Sequence, residues 1–404
     1  MLKIKLHWQI LIALLIAIIY GLFLTDYAYL VTWMGVLFLR ALKMIIIPLI
    51  LTSIISGVTN IGDAQNLGRL GFKTVAYYLS TSLFAIVTGL ILVNLIQPGV
   101  GADLGLKKEV QELAGSSGDL WELVLRMVPT NIFEAMVTFD ILAVIFFSIL
   151  LGFFITKADE KTKDFLTTLF NSGFEVMMKI THFVIRFTPL GILGIVVGVV
   201  AEQRENLVEV LGSLGKYSVT VLVGLLIHST ITLPLIIRSI GKANPLKQFQ
   251  AMTTPLLTAF STRSSSATLP LTLDAVENNS GVSNKISSFV LPLGATINMD
   301  GTALYECVAA MFIAQAYGIE MTIIQQAIII FTALLASIGA AGIPMAGLVM
   351  ISVILTAVDL PLEGVGLILA IDPFLDMFRT SVNIWSDSCG AVTIAKTEGE
   401  SLKV

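Results

Sequence analysis

STRSSSATLP at residues 261–270 and SIGAAGIPMAG at residues 337–347 each interrupt an apolar segment with serine, glycine and proline. The apolar halves on either side are too short to cross a bilayer, because a spanning helix needs about 20 apolar residues. Inside hydrocarbon, non-helical backbone is tolerated only where it is buried in protein or lines a water-filled cavity. The pattern predicts two re-entrant helical hairpins, at about 245–278 and 320–358, with their tips at mid-membrane. Two ordinary kinked helices would give a similar pattern.

The composition of the whole chain is that of a membrane protein. Of its 404 residues, 56% are hydrophobic and 13% are charged, and the mean hydropathy is +0.90. Soluble domains have about a quarter of their residues charged. The net charge of −4 argues against nucleic acid as a partner. The two cysteines, Cys307 and Cys389, lie in apolar stretches and cannot form a disulfide framework, so we interpret them as packed core thiols.

Outside the hairpins, long apolar runs predict membrane-spanning helices. They lie near residues 8–25, 34–57, 72–97, 135–156, 170–200, 211–240, 289–317 and 362–395. The basic start, Met1 to Lys5, leads into the first run and is interpreted as the flank of a membrane helix, not as a signal peptide. Lysine and arginine concentrate on one side of the alternating spans, which places both termini in the cytoplasm. The predicted fold is an all-α polytopic membrane protein with eight transmembrane helices plus two re-entrant helical hairpins, arranged as inverted repeats.

The last span carries a stripe of polar residues. The stripe consists of Asp372, Asp376, Arg379, Thr380, Asn383 and Asp387. Their spacing places them on one face of a helix. Ionisable side chains at membrane depth are costly and usually face a binding site or an aqueous cavity. A structural ion pair between Arg379 and one aspartate would account for two of the charges but not for the whole stripe, so we interpret it as a binding site.

A further polar interruption lies in the seventh span, where NMDGT occupies residues 298–302. Asp300 follows an apolar run, and Met-Asp-Gly at this place predicts an unwound turn that exposes carbonyls; a loop misread as a span is the alternative. Cations such as Na⁺ bind such oxygen groups in transporters. The serine triplet 264–266 supplies hydroxyls and amides near a helix end, which suits an anionic carboxylate, although such triplets are often only polar linkers.

Together these motifs closely resemble the glutamate transporter family, also called the dicarboxylate/amino acid:cation symporters, which includes archaeal aspartate transporters and animal excitatory amino acid transporters. The resemblance runs through the whole span pattern and is most specific from Ser261 to Glu398. It implies a secondary active symporter of L-glutamate or L-aspartate that is driven by Na⁺ and needs no other cofactor. It also implies a homotrimer in the inner or plasma membrane of a prokaryote, working by alternating access with an elevator-type transport domain.

The resemblance divides the chain into parts with different roles. Residues 1–70 would form scaffold helices 1 and 2, and residues 71–98 would form helix 3 of the transport domain. Residues 99–210 would form scaffold helices 4 and 5, with an extracellular loop before helix 4. Residues 211–404 would form the rest of the transport domain, which holds helix 6, hairpin 1, helix 7, hairpin 2 and helix 8.

The resemblance also implies a substrate site. In it, Arg379 binds the side-chain carboxylate of the substrate, Asp376 accepts its amino group, and Asp372 orients Arg379. A planar guanidinium suits the bidentate binding of a carboxylate better than a lysine does. The remaining substrate contacts implied are Thr302, Asn383, Thr380, Ser264, Ser265, Arg263, Gly342, Ile343 and Gly347. The second tip, Gly339 to Gly347, would be the lid over the ligand.

Three Na⁺ sites follow from the same resemblance. The first comprises Gly294, Asn298, Asn383 and Asp387. The second comprises Thr296, Met299, Ser337, Ile338 and Ala340, largely through backbone carbonyls; Ala340 stands where archaeal relatives have threonine. The third comprises Tyr78, Thr81, Ser82, Asn298 and Asp300.

Coupling to other ions depends on two positions. Arg263 in the first tip, with Met377 in the last span, is the prokaryotic arrangement of the family. Glu306, however, matches the glutamate that carries a proton in animal members, where archaeal aspartate transporters have glutamine. Glu306 is therefore either a proton carrier or a hydrogen-bonded structural residue, and coupling to H⁺ or K⁺ stays open.

Three other functions fit these residues less well than acidic amino acid transport does. A symporter of C4-dicarboxylates such as succinate would leave Asp376 without an ammonium partner, and a carrier of neutral amino acids would leave Arg379 uncompensated. A membrane-embedded enzyme would need Asp376 and Asp387 as an acid/base pair. Their offset of 11 positions separates the two Cα atoms by about 16 Å along a helix, which is too far.

Overall fold

The computed structural model describes residues 6–65, 69–101, 128–202, 207–339, 346–369 and 371–404. These residues form helices joined by short turns, with no strand in any of the six ranges, which confirms the all-α class. Within them, three helices are long and apolar enough to cross a bilayer, and they are Tyr29–Thr59, Arg69–Ile96 and Val208–Ser239. Shorter apolar helices are Trp8–Phe23, Ala143–Lys157 and Ile323–Ser337.

The N-terminal half contains seven of the helices that we label. They are α1 Leu6–Phe23, α2 Tyr29–Gln65, α3 Arg69–Ile96, α4 Ile132–Val137, α5 Ile141–Lys157, α6 Glu160–Ile185 and α7 Thr188–Glu202. Helix α2 packs against α5, α6 and α7, and α1 packs against α7. These helices form one apolar group around α2.

The span predicted near 170–200 is bent in the structure. The structure has two helices there, α6 and α7, which are bent by 51° relative to each other. Pro189 is the second residue of α7. Because proline has no backbone N–H to bond the preceding turn, it ends the helix before it and is tolerated only in the first turn of the next. If the bent pair counts as one span, the described residues hold four long apolar spans.

The C-terminal half is built from shorter and more polar helices. They are α8 Leu207–Ile227, α9 Leu233–Ser239, α10 Pro245–Ala251, α11 Thr253–Thr262, α12 Ser265–Asp274, α13 Asn284–Ile297, α14 Asp300–Ala316, α15 Ile323–Gly339, α16 Ala346–Ala357, α17 Val365–Leu369 and α18 Asp372–Thr397. Every residue of α14 except Gln315 is buried. Its neighbours are α3, α8, α15, α16 and α18, so α14 is the centre of this half.

The first interruption folds as a hairpin, but its tip is much shorter than residues 261–270. Helices α11 and α12 contact each other, and only Arg263 and Ser264 lie between them. Arg263 ends α11 in the left-handed region, with φ of 55°. The Ser264 hydroxyl accepts a hydrogen bond from the Ala267 amide at 3.2 Å and so caps the N-terminus of α12. Most of the serine-rich motif is therefore helical, because a capped helix can begin directly after one left-handed residue.

The second interruption agrees with a hairpin at 320–358. Helices α15 and α16 contact each other, and α15 ends at Gly339. The residues between them, 340–345, lie outside the described part of the chain. The predicted site residues Ala340, Gly342 and Ile343 therefore receive no structural description.

The C-terminal end of α18 is tied to the start of α3. Glu398 accepts hydrogen bonds from Arg69 Nη2 at 2.8 Å and from Lys73 Nζ at 2.7 Å. These bonds, first that from Arg69, lower the pKa of Glu398 to about 2. Farther along, the Lys403 amide donates to the Ser280 carbonyl at 3.0 Å. Helices α3 and α18 are thus held together at one end.

Candidate functional site

The seventh span is broken where the sequence predicts an unwound turn. Helix α13 ends at Ile297 and α14 begins at Asp300, while Asn298 and Met299 have non-helical backbone angles. This confirms the prediction. Both side chains are buried, so the break brings free helix ends into the protein interior, where they need polar partners.

The polar stripe of the last span lies on one buried face of α18. Its six members are at most 6% exposed, and they are Asp372, Asp376, Arg379, Thr380, Asn383 and Asp387. Helix α18 packs against α11, α13 and α14. The stripe therefore faces the protein interior.

Arg379 is the centre of the substrate-binding region that the sequence predicts. Its Nη2 donates to Asp376 Oδ1 at 2.7 Å. Nη2 also lies 3.0 Å from Asp372 Oδ1, in an ion pair that does not have hydrogen-bond geometry. The guanidinium carbon is 3.8 Å from the centroid of the Tyr305 ring, a cation–π contact. Nε and Nη1 have no hydrogen-bond partner among the described residues, so two donors of a buried cation are unused.

The loop-helix junction of the seventh span lies against the middle of α18. Asn383 Oδ1 accepts from the Gly301 amide at 2.8 Å, and Asn383 Nδ2 donates to Thr302 Oγ1 at 3.1 Å. The Thr380 hydroxyl donates to the Asp376 carbonyl at 2.8 Å. The structure therefore brings the predicted substrate contacts Thr302, Thr380 and Asn383 together. Some of their donors and acceptors already bond to one another or to nearby backbone groups.

Both hairpins reach the same region. A Cβ placed on Gly347 of α16 would lie 2.6 Å from Arg379 Nη1, so a larger residue there would require the guanidinium to shift. On the first hairpin, Ser264 and Ser265 are buried and Arg263 is half-buried. Arg263 is close enough to Asp372 for a Coulombic attraction.

The Asp300 carboxylate is surrounded by donors from three other elements. Ser82 Oγ donates to Asp300 Oδ1 at 2.7 Å, and Ser386 Oγ donates to Oδ2 at 2.5 Å. His228 Nε2 lies 3.0 Å from the same Oδ2. Nearby, Thr81 Oγ1 donates to Asn298 Oδ1 at 3.3 Å. Ser82, Thr81, Asn298 and Asp300 of the predicted third cation site therefore lie together, and two neighbours of Asp300, Ser386 and His228, were not predicted from the sequence.

Both missed residues carried a signal. Ser386 follows Asn383 by three positions and extends the polar stripe of α18, since residues three apart share a helix face. His228 is an ionisable residue in an otherwise apolar span, and such residues usually mark a functional site.

Residues of the predicted first cation site also meet. Asn298 Nδ2 donates to Asp387 Oδ1 at 2.8 Å. A Cβ on Gly294 would lie 2.5 Å from Asp387 Oδ1 and 3.0 Å from the Tyr78 hydroxyl. The Tyr78 hydroxyl itself donates to the Val290 carbonyl at 2.5 Å. Gly294 thus leaves open the space beside a buried carboxylate.

The predicted second cation site is described only in part. The Thr296 side chain is exposed, and its hydroxyl donates to the Leu293 carbonyl at 3.0 Å. Ser337 is buried and donates to the Leu334 carbonyl at 2.8 Å. Ile338 lies in the last turn of α15. Within the described residues, no three His, Cys, Asp or Glu side chains form a cluster that could hold a metal ion.

Glu306 is fully buried in α14, and neither carboxylate oxygen has a hydrogen-bond partner among the described residues. The reading of Glu306 as a hydrogen-bonded structural glutamate is therefore not supported. Buried polar groups are normally paired, and an unpaired one requires a functional explanation or an absent partner.

Comparison with known proteins agrees with this site. The sodium:dicarboxylate symporter family matches residues 6–397. Excitatory amino acid transporter 3 of Oryctolagus cuniculus is 36% identical over 99% of this chain and 87% of the relative, and its Homo sapiens counterpart is 38% identical over 91% and 79%. The proton/glutamate-aspartate symporter of Escherichia coli K12 is 33% identical over 98% of this chain and 93% of the relative. All three relatives are transporters. This confirms the prediction of a transport protein and excludes the alternative of a membrane-embedded enzyme. Because the match covers nearly the whole chain, this protein belongs to the sodium:dicarboxylate symporter family.

Proposed function

We propose that this protein is a secondary active symporter of acidic amino acids, with L-glutamate or L-aspartate as its substrate. The observation that carries the proposal is the buried guanidinium of Arg379, whose Nε and Nη1 have no partner among the described residues. An anionic group would satisfy these donors, since unpaired buried donors cost about 1–3 kcal/mol each. Asp376, on the same face, supplies the negative charge that a substrate ammonium requires. The relative from Escherichia coli K12 is a proton/glutamate-aspartate symporter, which favours glutamate and aspartate as substrates.

Na⁺ is the proposed coupled ion. Asp300 and Asp387 are buried, and among the described residues neither forms an ion pair with lysine or arginine. Two buried carboxylates with only hydroxyl, amide and imidazole partners favour a bound cation. The assignment of Gly294, Asn298 and the other predicted residues to three separate Na⁺ sites is part of this proposal, and so is Glu306 as a proton carrier.

We further propose the elevator arrangement, with the N-terminal group of helices as scaffold and the C-terminal half, with α3, as transport domain. In support, α1, α2 and α5–α7 pack mainly on one another, while α14 is enclosed by α3, α8, α15, α16 and α18. A homotrimer, residence in a prokaryotic inner membrane, and cytoplasmic termini belong to the same proposal. Native mass measurement tests the trimer, and a stable monomer that transports would contradict it.

The test of function is uptake into proteoliposomes. We expect radiolabelled L-aspartate or L-glutamate to accumulate when NaCl is outside and not when choline chloride replaces it. Excess unlabelled succinate is added as a competitor of the labelled amino acid, because a C4-dicarboxylate symporter, the alternative function, would bind it. Uptake of labelled succinate with no competition by either amino acid would overturn the proposed substrate. Equal uptake with and without a Na⁺ gradient would overturn the proposed coupling.

A further inference from the structure

His228 occupies an unusual place in the sixth span. It is the first residue of a π-helical turn, His228–Thr232, that separates α8 from α9. Its side chain is fully buried. Single π turns inside α-helices occur frequently at functional sites, because the wider turn redirects one side chain. The turn here places a histidine in the protein interior.

The imidazole reaches the broken part of the seventh span. His228 Nε2 lies 3.0 Å from Asp300 Oδ2. An ionised carboxylate only accepts hydrogen bonds, so Nε2 carries the hydrogen and donates. The other ring nitrogen, Nδ1, has no hydrogen-bond partner among the described residues. The contact with Asp300 is therefore the only polar contact of this ring in the part of the chain that the structure describes.

Three elements hold the Asp300 carboxylate. Ser82 comes from α3, Ser386 from α18, and His228 from the π turn. The two serine hydroxyls rotate and can turn to other acceptors. The imidazole is planar and buried, so its N–H has one direction. It is the donor that fixes the orientation of the carboxylate.

We propose that His228 is a positioning residue for the cation site at Asp300, an inference that rests on the proposed Na⁺ coupling. Its Nε2–H holds one carboxylate oxygen and presets the carboxylate for the cation. Without this hydrogen bond the Asp300 carboxylate must be reoriented when the cation binds. The free energy of that reorientation lowers the affinity for the cation. The substrate contacts around Arg379 are made by other residues, so substrate affinity at saturating Na⁺ depends little on His228.

Two amide variants separate this role from simple packing. In His228→Gln the side-chain amide lies near the position of Nε2 and can donate to Asp300. In His228→Asn the amide is one methylene shorter and does not reach it. Thr230→Ala is the matched control, because Thr230 lies in the same π turn but is exposed, and its hydroxyl donates to the Leu226 carbonyl.

The measurement is thermal stabilisation of the purified full-length protein by NaCl against choline chloride, without substrate. We expect His228→Asn to raise the Na⁺ concentration for half-maximal stabilisation about tenfold or more, a change of about 1.4 kcal/mol. His228→Gln and Thr230→Ala should stay within about twofold of the parent. At saturating Na⁺, all variants should bind the acidic amino acid with the affinity of the parent.

Other outcomes overturn the proposal. If Na⁺ stabilises the parent and His228→Asn at the same concentration, the histidine does not position the site. If His228→Gln and His228→Asn lose Na⁺ affinity equally, the role is packing and not donation to Asp300. A parent that Na⁺ does not stabilise overturns the proposed Na⁺ coupling and this inference with it. Should His228→Asn not fold, His228→Leu takes its place under the same outcomes.

Discussion

The Arg379→Cys variant tests the substrate site most directly. The change removes a buried guanidinium that has two donors without partners among the described residues. A hydrogen bond to a charged group contributes about 1.5–3 kcal/mol. Two such bonds to a substrate carboxylate therefore amount to about 3–6 kcal/mol, or roughly two to four powers of ten in affinity. We expect the dissociation constant of L-aspartate to rise by at least a hundredfold.

The same change leaves Asp372 and Asp376 without their cation. Removing one partner of a buried ion pair typically destabilises a protein by about 3–5 kcal/mol. We therefore expect a lower melting temperature as well as lost binding. With the guanidinium absent, a neutral amino acid, whose ammonium still finds Asp376, should bind better than an acidic one. This reversal separates a change of specificity from general damage.

The assay is calorimetric titration of L-aspartate, L-glutamate and L-serine into the purified variant at saturating Na⁺. Arg186→Cys is the matched control, since Arg186 is exposed at the bend between α6 and α7, and it should bind as the parent does. Arg379→Lys keeps the charge but not the planar fork, so an intermediate loss is expected. Binding of aspartate to Arg379→Cys within about fivefold of the parent would refute the assignment.

Three further variants test other parts of the structure. Glu306→Gln should keep substrate binding but abolish acidification of the liposome lumen during Na⁺-driven uptake, because the amide keeps the volume and carries no exchangeable acid; a parent that moves no protons would contradict this role. Gly294→Ala should lower the free energy of unfolding by about 1–3 kcal/mol through overpacking, since its Cβ would lie 2.5 Å from Asp387 Oδ1. In a melting assay, Na⁺ should stabilise this variant less than the parent. If the Na⁺ dependence is unchanged, the space beside that carboxylate does not hold a cation. Glu398→Gln should lower the melting temperature at neutral pH only. The folded-state pKa of Glu398, about 2, lies below the usual value of about 4.3, so its contribution is complete above pH about 4.3 and disappears as the pH falls toward 2. A difference between Glu398→Gln and its parent that persists at pH 2 would show that the bond to Arg69 is not its origin.

Much of the fold could be predicted because it follows from local patterns in the sequence. Apolar runs, serine and glycine interruptions and the NMDGT break specify helices and their ends through short-range backbone chemistry. The break at Asn298 and the buried stripe on α18 appear in the structure where the sequence places them. Boundaries were less reliable, as the two-residue tip at Arg263 and the bend before Pro189 show. Both depend on the backbone conformation at single residues, which the pattern of apolar and polar residues does not specify.

The sequence by itself determined which helices carry polar residues, and on which face, since helical periodicity needs no partner. Only the tertiary structure decided which of these residues meet. The ring of Tyr305 lies under Arg379, Gly347 approaches Arg379, and His228 contacts Asp300. The members of these three pairs are 74, 32 and 72 positions apart in the sequence. Such contacts are set by how α3, α8, α14 and α18 pack around a shared core, and packing distances of a few ångströms leave no trace in the spacing of residues along the chain.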